Sequence, residues 1–282
     1  MRSSQAWADR VRKMRRWVRL REEVRRHLWS RHQQNPGLEP LEQRALLAAI
    51  PTALLELPER SLIGEDLIFD VSFRNSSATD PGYAPFVDLI MPSTGQDGDD
   101  GLTFQSATYL GAAVTSRVVV FDGSGQAVHP FLKTPTGGPV TVSGPAGSQL
   151  VSMQLPFGSF TPGQPDVDVK VTASLSVNAD VGAPLTVQAI PRFLLGNDPL
   201  DDPLTDPPIQ GTTVSANLTP ALMLLSGRYL DPENETATGP NFPRRYQLDV
   251  DLATGQTVTD LDITEFLTSS MRFLQVQETW VH

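Results

Sequence analysis

From Pro51 onward, apolar and polar residues alternate along most of the chain, and a period of two predicts β-strands with one buried and one wetter face. Leu67, Phe69, Val71 and Phe73 alternate with Ile68, Asp70, Ser72 and Arg74. The longest series is Val167–Val177, with Val167, Val169, Val171, Ala173, Leu175 and Val177 on one side. Asp168, Lys170, Thr172, Ser174 and Ser176 take the other. A helix cannot sort these residues by polarity, whereas a half-buried strand does so through its pleat. Further strands are expected at Arg117–Phe121, Val140–Ser143, Leu150–Leu155, Leu185–Ala189 and Tyr246–Leu252, with return strands at Thr257–Ile263 and Met271–Val276. Asp122-Gly123-Ser124-Gly125 and Ala253-Thr254-Gly255-Gln256 carry turn chemistry between them. Many short strands without intervening helical periodicity indicate an all-β, antiparallel sandwich architecture.

The first fifty residues follow a different period. Trp7, Val11, Met14 and Val18, then Trp17, Leu20, Val24 and Leu28, recur at helical spacing, and ten Arg or Lys residues lie between Arg10 and Arg31. A basic amphipathic helix is expected over residues 5–33, closed by Pro36 and Gly37. Such a segment fits a membrane-surface helix, a nucleic-acid arm, a removable targeting segment or a solvated tail, and the sequence leaves these open. The Asp- and Pro-rich stretch Asn197–Gln210 cannot form a regular ladder and reads as a linker or long rim loop. The organisation is therefore a basic helical export segment over 1–50, a β-sandwich over 51–212, and a second β unit over 213–282. That last unit has 70 residues, fewer than the roughly 100 of a complete sandwich. It is expected to be partial, with an unpaired sheet edge available for self-association.

Two segments resemble known families. Gly37–Ala49 is similar to the LEPR-XLL segment near the start of very long exported bacterial proteins, through Leu41, Glu42, Arg44, Leu46 and Leu47, with Gln43 in place of the usual proline. Tyr246–Thr264 resembles the DUF11 repeat of bacterial surface proteins. Tyr246, Leu248 and Val250 form the first strand, Gly255 the turn, and Val258, Leu261 and Ile263 the second strand. Phe266-Leu267-Thr268-Ser269-Ser270-Met271-Arg272-Phe273 follows, with Thr268 where proline is usual and Glu265 where aspartate is usual. Gly82–Phe104 is more loosely similar to first repeats of the same kind of protein. The resemblance implies immunoglobulin-like sandwiches used as extracellular spacers, with other surface-protein domains or matrix as partners and no catalytic residue.

Charge sharpens this picture. Residues 1–50 carry 12 Lys and Arg against 5 Asp and Glu, while the rest of the chain carries 10 against 27. The acidic body would repel nucleic acid phosphates, so no nucleic-acid partner is expected for it. The absence of cysteine removes disulfides, thiolate metal sites and cysteine nucleophiles. With 21 Gly and 24 Pro in 282 residues, the chain exceeds the roughly 12% of an average protein, as short strands joined by turns require. No apolar run approaches the roughly 20 residues of a membrane-spanning helix.

Candidate chemistry is sparse. There is no phosphate loop, His-Glu-x-x-His or Gly-x-Ser-x-Gly. His27 and His32 are five apart, and His129 stands alone in sequence beside Pro130, without a visible triad helper. Asp97, Asp99 and Asp100 are candidate calcium ligands, as are Asp198, Asp201, Asp202 and Asp206, because carboxylate oxygens suit that hard cation. The place of the final glutamate in a calcium-binding helix-loop-helix is taken by Thr108, which excludes that motif. No organic cofactor is expected. Lys133 and Lys170, the only lysines after residue 50, are poor candidates for an isopeptide bond, since Lys170 falls on a polar strand face. Phe131 and Tyr83 are the rim aromatics available to a glycan. The expectation is a non-enzymatic structural or adhesive module of an exported, extracellular surface protein. The alternative is a calcium- or glycan-binding module using Asp-rich rim loops.

Overall fold

Alternating burial organises the two strands at the centre of the smaller sheet. In β3 (Asp66–Asn75), Leu67, Phe69, Val71 and Phe73 are buried while Asp66, Ile68 and Arg74 face solvent. In β12 (Val167–Leu175), Val167, Val169, Val171, Ala173 and Leu175 are buried and Asp168 and Lys170 exposed. These features come from a computed structural model. It describes residues 48–93, 100–134, 136–195, 208–230, 244–264, 266–267, 269, 271–276 and 279. The expected helix over 5–33 and the LEPR-XLL-like residues Leu41, Glu42, Arg44, Leu46 and Leu47 lie outside them.

The other strands are β1 (Pro51–Glu56), β2 (Arg60–Leu62), β4 (Gly82–Met91), β5 (Leu102–Tyr109), β6 (Ala112–Ala113), β7 (Thr115–Val120), β8 (Gln126–Lys133) and β9 (Pro139–Ser143). They continue as β10 (Gln149–Gln154), β11 (Ser159–Phe160), β13 (Leu185–Leu195), β14 (Ile209–Gln210), β15 (Val214–Ala221), β16 (Met223–Tyr229) and β17 (Tyr246–Leu252). Among the described residues, one sheet runs β1-β3-β12-β5-β6. The larger runs β2-β15-β13-β4-β10-β7, with β11 on β4 and β14 on β13. The hairpins β8–β9 and β16–β17 form separate two-stranded sheets. Among the described residues every pairing is antiparallel except β15 with β2. No helix occurs among the described residues.

The main core lies between the two large sheets, where Phe73, Val71, Val87, Leu89, Met91, Val151, Met153, Val171 and Phe193 pack together. Burying each such side chain contributes about 1.5–3 kcal/mol. Strand β4 breaks the rule of one wet face. Its inner residues Val87, Leu89 and Met91 are buried, and so are Phe86, Asp88 and Ile90 on the opposite face. The reason is a third layer, because the β8–β9 hairpin covers part of the outer face of the larger sheet. Ile90, Phe121, Ala127 and Leu150 form a second, small core beneath it.

Strands expected from the sequence are found as β3, β7, β9, β10, β12, β13 and β17, although β7 ends at Val120, β10 is buried on both faces from Leu150 to Met153 and β13 runs on to Leu195. Three differences are informative. Val177 is exposed, because Ser176 ends β12: the Asn178 amide donates to the Ser176 hydroxyl and the Ala179 amide to the Ser176 carbonyl. Val214–Ala221 follows the boundary expected at 212, yet it pairs with β13 and β2 in the larger sheet, burying Leu218 and Ala221. Thr257–Ile263 and the described Met271–Val276 form no strand. After β17 the chain turns into the body instead of back along the ladder, with Ala253 buried in the main core and its amide bonded to the Leu222 carbonyl.

The β5–β6 hairpin closes through two residues, Leu110 (φ 49°) and Gly111 (φ 81°). Both sit in the left-handed region, which suits the strand twist but penalises a leucine, and Leu110 is 88% exposed. Leu110→Asn is expected to stabilise the fold by about 1 kcal/mol and to raise Tm by about 2–4 °C. A thermal melt checks this, and a lowered Tm would contradict the strain argument.

Candidate functional site

The polar groups most deeply enclosed in the described structure meet on the outer face of the larger sheet. Asp88 stands at the centre of β4, on the face shared with Phe86 and Ile90. Ser152 of β10 is its direct cross-strand partner. Arg192 of β13 lies opposite Phe86, and its side chain reaches along the ladder to Asp88. His129 descends from β8 above. Asp88, His129 and Ser152 are buried, and the Arg192 side chain is nearly so.

Local chemistry drives His129 inward. The β8–β9 register breaks between Val128 and Lys133, leaving residues 129–132 bulged out of the ladder. Pro130 has no amide hydrogen to give to a ladder. The next two amides, Phe131 and Leu132, donate to His129 Nδ1 at 3.1 and 3.0 Å. With Nδ1 accepting two hydrogen bonds, the network assigns the ring proton to Nε2. Nε2 donates to the Asp88 carboxylate, 3.0 Å from each oxygen. The Ser152 hydroxyl donates to Asp88 Oδ1 at 2.6 Å, and Arg192 Nε donates to Oδ2 at 2.8 Å. Phe86 packs edge-on against both His129 and Phe131, with centroids 5.8 and 5.9 Å apart.

A serine, a histidine and an aspartate are thus brought together, but in the wrong order for nucleophilic catalysis. A catalytic serine gives its proton to an unprotonated imidazole nitrogen, and the aspartate orients the far side of that ring. Here the aspartate lies between the other two. Ser152 Oγ and His129 Nε2 are 3.4 Å apart, each a donor to Asp88. The other ring nitrogen is occupied by backbone amides. What the arrangement does chemically is hold a buried carboxylate with three donors, one of them a guanidinium that supplies the counter-charge, and so tie four strands together.

The sequence candidates fare unevenly. His129, read as isolated, has Asp88 and Ser152 as close partners; β4 and β10 bring these from 41 and 23 residues away. Asp97 and Asp99 lie outside the described residues, as do Asp198, Asp201, Asp202, Asp206, His27, His32 and His282. Asp100 is buried just before β5. Among the described residues no group of three or more His, Asp or Glu side chains could hold a metal ion. Lys170 is exposed and pairs with Asp70 at 3.0 Å, and Lys133 is exposed, so neither has the burial an isopeptide bond needs. Phe131 and Tyr83 are half-buried, and the Phe131 ring is engaged with Phe86.

At the base of the hairpin, the Ser124 hydroxyl, followed by the Gln126 and Ser124 amides, holds the Asp122 carboxyl below its usual range. On the outer face of the smaller sheet, a two-pronged hydrogen bond from Arg74 at 2.8 and 2.7 Å lowers Asp166 in the same way. Both contributions are complete above the ordinary carboxylate range and are lost as pH falls through the lowered values. A cleft of about 310 Å³ beside Pro51, lined by residues including Ala49, Thr52, Ile209 and Gly211, carries no titratable side chain. No helix among the described residues is long and apolar enough to cross a membrane.

No known family's sequence model matches this chain, and no curated protein does. Among solved structures, AvmM, which catalyzes macrocyclization in alchivemycin A biosynthesis, is 12% identical over 61% of this chain and 88% of its own, with a TM-score of 0.34. The cohesin module of a Clostridium perfringens family 33 glycoside hydrolase is 8% identical over 61% and 98%, at 0.33. The seventh ScaB type I cohesin of Pseudobacteroides cellulosolvens is 11% identical over 67% and 99%, at 0.31. TM-scores this low carry neither a shared architecture nor a shared role.

Proposed function

We propose that this chain is a non-catalytic, structural and adhesive β-sandwich module of an exported surface protein, working through protein–protein contact. The observation that carries this reading is the run of large apolar side chains left exposed from β16 to the end of the described chain. Leu225, Tyr246 and Leu248 belong to it, and Phe266 (89% exposed), Phe273, Leu274 and Val276 are its most open members. Apolar surface of this density marks a contact surface more often than bare solvent exposure. The wiring of the Asp88 cluster supports the non-catalytic part, because Ser152 is fully buried and its hydroxyl donates to a carboxylate already held by His129 and Arg192, not to an unprotonated imidazole nitrogen. Export and an immunoglobulin-like, DUF11-type repeat relationship rest on the resemblances at Gly37–Ala49 and Tyr246–Thr264.

The test is sedimentation velocity over a range of protein concentrations, alongside chromogenic ester, peptide and glycoside substrates. The intact chain is expected to associate as concentration rises, and the double variant Phe266→Ser, Phe273→Ser to associate measurably less. Turnover of any substrate that disappears in Ser152→Ala would overturn the non-catalytic reading. A chain that stays monomeric at every concentration, with or without the substitutions, would overturn the contact surface.

A further inference from the structure

We infer that the β8–β9 hairpin is a latched flap, which opens from the larger sheet as its own unit while the sandwich beneath stays folded. The hairpin has its own two-stranded ladder and is joined to neither large sheet by strand pairing. It is held instead by side chains. The apolar part of that hold is limited: Ala127 and Val142 of the hairpin, with Phe121 at its base, meet Ile90, Leu150, Val119 and Ile190 of the sheet, and the His129 and Phe131 rings stand edge-on to Phe86. The polar part is the His129 bond to Asp88.

The division of the cluster between flap and sheet makes this latch reversible. Asp88, Ser152 and Arg192 all belong to strands of the larger sheet, and only His129 belongs to the flap. When the flap lifts, Asp88 keeps the Ser152 hydroxyl at 2.6 Å and the Arg192 guanidinium at 2.8 Å. No unpaired charge is left behind, which is the circumstance that normally makes breaking a buried ion pair so costly. His129 keeps its own two amides, so the bulge that aims it also survives.

The two ends of the flap are suited to hinging. Its entry is the Asp122–Gly125 turn, where Gly125 has φ of 75°, and its exit passes through Gly144–Ser148, where Gly147 has φ of 77°. The Gly144 amide donates to the Gly125 carbonyl at 3.0 Å, which clamps the two hinges side by side. A lifted flap uncovers an apolar strip formed by Ile90, Val119, Leu150 and Ile190 across four adjacent strands of the larger sheet.

Native-state hydrogen exchange on the full chain tests the flap. The Ala127 and Val142 amides, paired across the ladder of the flap, lose its cover on the sheet when it lifts and are expected to exchange through that local opening, at least about tenfold faster than those of Val169, Val171 and Ala173. His129→Ala is expected to speed the Ala127 and Val142 amides a further tenfold or so and leave the β12 amides unchanged; the Phe131 and Leu132 amides, which lose their own Nδ1 acceptor in this variant, are not counted. Trypsin cleavage after Lys133 on the flap should then be faster in the variant than in the parent chain, with the rates at Arg244 and Arg272 unchanged. Val142→Ala, which trims only the apolar hold, is expected to give the same selective pattern, so the test survives if the histidine variant fails to fold. A single common exchange rate for β8 and β12, or a variant that accelerates both alike, would overturn the flap.

Discussion

Replacing Asp88 with alanine is expected to lower the unfolding free energy by about 3–5 kcal/mol, the cost of stranding a buried partner charge. Asp88 is 1% exposed and receives His129, Ser152 and Arg192 together. Without the carboxylate, the Arg192 guanidinium, whose side chain is 12% exposed, loses its counter-charge, and two further donors face an apolar gap. Native domains hold only about 5–15 kcal/mol in reserve, so this one change consumes a large share of it. Asp88→Asn preserves shape and one acceptor but still leaves Arg192 unpaired, so a loss nearer the lower figure is expected. The comparison that isolates burial is Asp70→Ala. Asp70 pairs with Lys170 at 3.0 Å, but in solvent, so its loss is expected to cost about 0–1 kcal/mol. Urea denaturation of the three variants decides the matter. If Asp88→Ala stayed within about 1 kcal/mol of the parent chain, the cluster would not be the structural clasp described here.

The chain advertises its strands more plainly than its site. Alternation at Leu67–Phe73 and Val167–Leu175 is visible because each strand has one wet face, and burial follows it almost residue by residue. It fails where a local group overrules the pattern, as when the Ser176 hydroxyl captures the Asn178 amide and turns Val177 outward. It fails again after β17, where the pattern of Thr257–Ile263 resembles a repeat strand but Ala253 pulls the chain into the core. The Asp88 cluster is non-local: β4, β8, β10 and β13 each contribute one residue, up to 104 positions apart, and no short motif spans them. A weaker signal was nevertheless present. Asp88 interrupts Phe86-Val87-Asp88-Leu89-Ile90 and Ser152 interrupts Leu150-Val151-Ser152-Met153, runs too apolar for strands with a wet face. A lone carboxylate and a lone hydroxyl in two such runs must find partners.

Phe73→Ala is expected to cost about 3–5 kcal/mol, for a reason independent of the clasp. Phe73 of the smaller sheet is fully buried and stands edge-on to Phe160 and Phe193 of the larger one, with centroids 5.5 and 5.4 Å apart. It therefore joins the two sheets. The space it leaves cannot readily close, because Phe193 is seated over Gly82, where an added Cβ would run into the ring. Phe73→Leu, which retains most of the volume, is expected to cost less, and a double-mutant cycle with Phe193→Leu should show about 0.5–1.5 kcal/mol of coupling from the edge-on pair. The cycle between Phe73→Ala and Asp88→Ala carries a different expectation. These residues occupy opposite sides of the larger sheet, one in the main core and one beneath the flap, so their costs should add within about 0.5 kcal/mol. Since the combined loss would unfold many domains, the cycle is best run with Phe73→Leu and Asp88→Asn in an osmolyte that strengthens burial. Coupling well above that figure would mean that the flap and the sandwich unfold as one layered body, which the separate ladder of β8–β9 argues against.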